Sequence, residues 1–128
     1  MSKVVLDASA LLALIKNESG AEIVEELLGN IVMSSVNISE VASILLDSEM
    51  SPTEALSAIE PFVDSIVSFD LKQSIDCASL KKTTKVFGLS LGDRACITLG
   101  TQLGLPIYTA DKVWQELKLE NTTIKLIR

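Results

Sequence analysis

Residues 3–16 read KVVLDASALLALIK. Lys3 to Leu6 is a short apolar run of strand length, valine-rich and without polar alternation, as expected of a strand buried on both faces. Ala8 to Lys16 continues at helical length with no glycine or proline. Asp7 stands at the joint. A buried strand running straight into a helix is the opening half of a crossover unit, and the question is whether the pattern repeats.

It does. Gly20 to Leu28 reads as a helix with an acidic face of Glu22, Glu25 and Glu26, and Ile31 to Ser34 as the next strand. Asn37 to Glu49 is helical, and Pro52 marks a helix start, where a proline lacking its N–H does no harm. Ile66 to Phe69 reads as a strand and Leu71 to about Val86 as a helix, after which Gly88 and Gly92 bracket a short loop. Asp93 to Leu103 is a helix ended by Gly104, Pro106 to Thr109 a strand, Lys112 to Leu117 a short helix, and Thr123 to Ile127 a last strand. Strands alternating with helices imply parallel pairing through crossovers, hence an α/β fold with a mainly parallel sheet. There is no linker, repeat or low-complexity tract, so residues 1–128 are expected to form one domain.

Composition agrees. Of 128 residues, 48% are hydrophobic but only 4% aromatic, which suits an aliphatic sheet covered by helices. Few aromatics also argue against base stacking as the main way of holding a nucleic acid. The net charge is −6, so the chain as a whole does not attract polyanions. Any nucleic-acid binding must come from a local patch, a metal or a partner. With no histidine at all, Ser-His-Asp hydrolysis, paired-histidine ribonuclease chemistry and His-ligated zinc are excluded. Cys77 and Cys96 lack CxxC spacing and read as small core residues in a reducing compartment. Asp7 interrupts the first apolar stretch, no signal-peptide cleavage site follows, and no run approaches the ~18 residues needed to span a bilayer. A cytoplasmic location is expected.

The chemistry lies in four acids at element junctions: Asp7, Glu40 in NISEVA, Asp93 in LSLGDRA and Asp111 in YTADKVW. In a parallel α/β sheet such junctions gather in the crevice beyond the strand ends. Each acid also has a plain explanation as a helix cap, worth ~1 kcal/mol. Asn37–Glu40 and Ser90–Asp93 have the form of capping boxes. Asp70 follows a strand in the same way and carries no functional claim. As a set, however, two charges ~4 Å apart repel by ~4 kcal/mol at a surface-like dielectric, so four converging carboxylates must shift their pKa values or bind a cation. Oxygen-only ligation favours Mg²⁺ or Mn²⁺, which can lower the pKa of a bound water and orient a phosphodiester. Ser9, Asn37 and Thr109 are candidates for steadying the carboxylates, against cap readings for Ser9 and Asn37 and a buried hydroxyl for Thr109. Arg94, Lys112, Lys81, Lys82 and Lys85 are candidates for holding substrate phosphate, against a solvated face. Trp114 reads as a packing residue.

The ordered set resembles the PIN domain, and more narrowly the VapC-type toxin nucleases of toxin–antitoxin pairs. It comprises a strand ending in Asp7-Ala8-Ser9, then Asn37-x-x-Glu40, Leu91-Gly92-Asp93-Arg94-Ala95, and Thr109-Ala110-Asp111 with Trp114. The likeness covers essentially the whole chain. It implies a three-layer α/β/α sandwich and a Mg²⁺- or Mn²⁺-dependent ribonuclease. Asp7, Glu40, Asp93 and Asp111 would hold metal and activate water. It further implies a homodimer and a cognate antitoxin. Two other classes compete. One is a receiver-like, non-catalytic cation-binding module; the other is a phosphatase with an Asp-x-Asp after the first strand, where this chain has Asp7-Ala8-Ser9.

Overall fold

In the computed structural model, which describes residues 2–128, five strands form one parallel sheet in the order β3-β2-β1-β4-β5. In chain order the elements are β1 (Val4–Leu6), α1 (Ala8–Ile15), α2 (Ala21–Glu25), β2 (Ile31–Ser34), α3 (Ser35–Asp47), α4 (Pro52–Ile59) and β3 (Ser65–Val67). There follow α5 (Leu71–Ser79), α6 (Lys81–Thr84), α7 (Leu91–Leu103), β4 (Ile107–Thr109) and β5 (Ile124–Leu126). Tight 3₁₀ turns cover Glu60–Phe62, Lys85–Phe87 and Lys112–Glu116.

The alternation of side chains along each strand divides the core in two. Val4, Leu6, Ile31 and Met33 face a layer built by α1 to α4, with Leu11, Val24, Val41 and Leu45 in its interior. Val5, Val32 and Ile107 face the opposite layer, where Cys96, Ile97 and Leu99 of α7 pack with Trp114. This is a three-layer α/β/α sandwich. The central strands β1 and β2 are buried throughout, as their unbroken apolar runs require, whereas β3 and β5 are half-exposed edges. Burying each large aliphatic side chain contributes roughly 1.5–3 kcal/mol.

Several boundaries differ from the sequence reading for identifiable reasons. Helix α3 begins at Ser35, not Asn37, because Ser34 is at once the last strand residue and the cap, its Oγ accepting from the Val36 N–H at 3.2 Å. Asn37 is therefore not a cap. The helix read from Leu71 to about Val86 breaks after Ser79. There Thr83 and Thr84 both donate their hydroxyls to the Leu80 carbonyl, and such back-bonding competes with a regular helix. The Gly20–Leu28 helix shortens to Ala21–Glu25, with Glu25 and Glu26 at a C-terminus whose dipole disfavours them. Gly92 is not in a loop but in the first turn of α7, which Ser90 caps. Gly104 closes α7 in the left-handed conformation, with φ 65°, which glycine adopts without cost.

The chain builds β1, β2 and β3 outward in one direction, then returns to place β4 on the other side of β1. The strand order thus reverses between β1 and β4, where α/β sheets open a crevice beyond the strand ends. Asp7 follows β1 and Asp111 lies just past β4, and the Asp7 N–H bonds the Tyr108 carbonyl at 3.1 Å across that seam. No helix among the described residues is long and apolar enough to cross a membrane.

Candidate active site

Asp7, Glu40, Asp93 and Asp111 line one cleft of about 230 Å³, floored by Ala8, Ser9 and Leu12 and flanked by Ile44. Four acids from distant parts of the chain therefore share one crevice. Among the described residues, however, no three acids or cysteines stand close enough to form a ready-made ion cage.

Asp7 is the most constrained of the four. It is buried, 4% exposed, and caps α1 by accepting the Ala10 N–H at 2.9 Å. Thr109 Oγ1 donates to its Oδ2 at 2.6 Å, and the Ser9 hydroxyl lies 2.7 and 2.9 Å from its two oxygens. Those hydroxyls are themselves held in place. Ser9 Oγ accepts the Ala110 N–H and Thr109 Oγ1 the Asp111 N–H, both at 3.0 Å. Ser9 and Thr109 thus tie Asp7 to the backbone that presents Asp111. Burial nevertheless pushes the Asp7 carboxyl up to about 6; the three hydrogen bonds pull it down and the Asp93 charge adds to the rise. The buried Cys96 thiol is raised well above its ordinary value, first by burial and then by the charges of Asp7, Asp93 and Glu40. Three of the four acids therefore bear on the Cys96 thiol.

The capping readings hold for three of the four. Asp93 forms a reciprocal box with Ser90, accepting its N–H at 2.9 Å, and Asp111 accepts the Val113 N–H at 3.1 Å. Glu40 caps nothing; it accepts at 2.8 Å from the side-chain amide of Asn37. Asp70, the comparison case, caps α5 through the Gln73 N–H and lies away from the cleft lining. Asp70→Ala is expected to cost ~1 kcal/mol of stability in urea denaturation, with every property of the cleft unchanged.

None of the five basic candidates lines the cleft. Arg94 turns into the seam between α5 and α7, where its Nη1 donates to the Cys77 carbonyl at 3.2 Å. Lys81, Lys82, Lys85 and Lys112 are exposed and stand outside the cleft lining. The sequence reading missed what Gly92 does. A Cβ there would collide with the Glu40 carboxylate. The available signal was its place inside the Ser90–Asp93 capping-box spacing, which puts Gly92 in the first turn of a helix, where glycine costs about 0.5–1 kcal/mol against alanine and so invites a packing reason.

The profile of the PIN domain matches residues 4–119, and the chain belongs to that family. No curated relative matches it. Similar solved structures include a DNA-bound VapBC from Salmonella typhimurium, 19% identical with a TM-score of 0.73 and all of both chains covered. A toxin–antitoxin complex from Klebsiella pneumoniae is 15% identical with a TM-score of 0.73, over 94% of this chain and 96% of the other. The sarcin–ricin-loop-cleaving toxin VapC20 of Mycobacterium tuberculosis is 12% identical with a TM-score of 0.73, over 92% and 98%. At these identities the likeness is one of fold.

Proposed function

We propose that this chain is a metal-dependent endoribonuclease, the toxin of a toxin–antitoxin pair. The observation that carries this reading is the convergence of Asp7, Glu40, Asp93 and Asp111 on one cleft at the switch point of the sheet. The donor set suits Mg²⁺ or Mn²⁺: it is all oxygen, and burial, with a smaller contribution from the Asp93 charge, already disfavours a bare Asp7 carboxylate that a cation would stabilise. The spacing suits an ion that keeps part of its water, since Mg²⁺ commonly takes only one or two carboxylates directly. Such a cation would supply Lewis-acid activation of water and neutralise charge at the phosphodiester.

The chain's own residues do the rest. Ser9 and Thr109 hold Asp7 in one orientation, the Ser90 box holds Asp93, and the backbone of Ala110 and Asp111 is pinned to the same two hydroxyls. With no basic side chain in the cleft lining, the substrate backbone must be drawn by the bound cation and by residues from beyond this chain. A cognate antitoxin is part of the proposal, supported by the toxin–antitoxin assembly among the similar structures; a homodimer is proposed with it. RNA is supported by the RNA-loop-cleaving relative.

The competing readings are weaker on specific grounds. A receiver-like module has strand order 2-1-3-4-5, whereas this sheet runs 3-2-1-4-5. The Asp-x-Asp phosphatase lacks its second acid, and Ser9 in that place commits its hydroxyl to Asp7.

The test is cleavage of total RNA by the purified chain, with and without Mn²⁺, and by Asp93→Asn. Asparagine retains an oxygen for the Ser90 N–H, so the helix cap survives the change. Cleavage is expected to need the metal, to stop with excess chelator, and to fall at least about 100-fold in the variant. Cleavage that survives chelation, or full activity in Asp93→Asn, would overturn the reading.

A further inference from the structure

Asn37 sits one turn before Glu40 in α3 and is 1% exposed. Both hydrogens of its side-chain amide are engaged. One goes to Glu40 Oε1 at 2.8 Å, the other across to α7, to the Gly92 carbonyl at 3.0 Å. Gly92 immediately precedes Asp93. A single side chain therefore holds one site acid directly and grips the peptide that carries another. Gly92 completes the arrangement from the other side, because α7 approaches the Glu40 carboxylate closer than any Cβ would allow.

The acceptor half of Asn37 sharpens the point. Its Oδ1 is buried without a hydrogen-bond partner, and an orphaned buried acceptor costs about 1–3 kcal/mol. An apolar residue of the same shape would join α3 to α7 without that cost. What such a residue could not do is donate to Glu40, which unlike the other three acids has no helix-capping bond to orient it.

We propose that Asn37 is a positioning residue, which together with Gly92 fixes the Glu40 carboxylate and its separation from Asp93, so that the two acids meet a divalent cation as a preorganised pair. This rests on the reading of the four acids as a cation site, and the test separates the two claims. Mn²⁺ is titrated by calorimetry into RNA-free wild type, Asn37→Leu, Glu40→Gln and the double variant. Asn37→Leu is expected to fold and melt cooperatively yet bind Mn²⁺ about 10- to 100-fold more weakly, the usual cost of losing a group that orients a ligand. In the Glu40→Gln background the same change should shift affinity less than about 3-fold, because residues acting through one another are non-additive. Gly92→Ala, which leaves Asn37 intact and pushes on Glu40 from the opposite side, should weaken Mn²⁺ binding alike.

A second readout needs no metal. In protein labelled at the glutamate carboxyl carbon, the Glu40 signal, assigned by its loss in Glu40→Gln, is expected to move in both Asn37→Leu and Gly92→Ala. Wild-type affinity in Asn37→Leu, or an equal loss with and without Glu40, overturns the positioning role. If wild type itself binds no Mn²⁺, the cation reading falls, and an unmoved Glu40 carboxyl signal then overturns the claim for Asn37 as well.

Discussion

Asp7→Asn is expected to abolish RNA cleavage and, in the metal-free protein, to make the fold more stable at neutral pH. The first half follows from position. Losing a group that merely orients a metal ligand costs up to about 100-fold, so losing the most enclosed of the four acids should cost at least that. The second half follows from burial. Holding this carboxyl at about 6 against its ordinary 3.8 makes ionising it in the fold about 3 kcal/mol harder than in the open chain. The sign is opposite to that of a salt-bridged aspartate. Below pH ~3.8 both states carry the proton and there is no penalty. Between 3.8 and 6 the unfolded chain ionises while the fold retains its proton, so stability declines as pH rises, and above 6 the whole penalty applies. Asparagine escapes it while keeping the Oδ1 that caps α1. The variant should therefore exceed wild type by about 2 kcal/mol in urea denaturation at pH 7, the two converging near pH 4. Saturating Mn²⁺ should raise the wild-type midpoint and leave the variant's unchanged, because only a state that binds ligand is stabilised by it. Equal stabilities at pH 7 would mean that the cleft does not strain Asp7.

The second large effect is on the fold. Trp114 is the largest fully buried side chain, at 0% exposure, and anchors the layer formed by α7 against β4. Trp114→Ala should cost about 3–5 kcal/mol, the range for deleting a buried aromatic. Because Trp114 lies in the turn that Asp111 caps, cleavage should fall even under conditions where the variant remains folded. Trp114→Phe should cost much less. It keeps a ring in the site and removes an indole N–H that has no partner there, and an unpaired buried donor is itself destabilising. Chemical denaturation of the three proteins, with cleavage assayed well below each midpoint, checks both statements.

The fold was legible where burial dictated composition. The runs at Val4–Leu6, Ile31–Ser34 and Ile107–Thr109 leave little choice but central parallel strands, and the order of elements follows from them. Helix ends were less legible, because side-chain hydrogen bonds decide them. Ser34 caps α3 from within a strand, and Thr83 and Thr84 divert the chain after Leu80; neither act has a hydrophobic signature. Of the site, the acids could be listed from their positions at junctions, but not what each one touches. Asn37 looked like a helix cap because its spacing to Glu40 is that of a capping box. The same spacing lets it reach Glu40's carboxylate from inside the helix. Gly92 looked like a loop residue, since nothing local reveals that a carboxylate from another helix lies against it. The basic residues were grouped by sequence distance, which says little about direction. Arg94 follows Asp93 directly, yet on a helix successive side chains diverge, and it points into the seam with α5.

Three of the four acids also close a helix N-terminus, and this channels how the site can decay. At positions 7, 93 and 111 a change that removes the side-chain oxygen loosens α1, α7 or the turn through Trp114 as well as the cleft. A descendant released from selection on activity would therefore drift toward asparagine at those positions, or toward serine at 7 and 111, which still cap. Position 40 caps nothing and would be free to vary widely. In a related chain, an intact trio of capping oxygens beside a lost Glu40 would mark a scaffold kept for folding after its chemistry had gone.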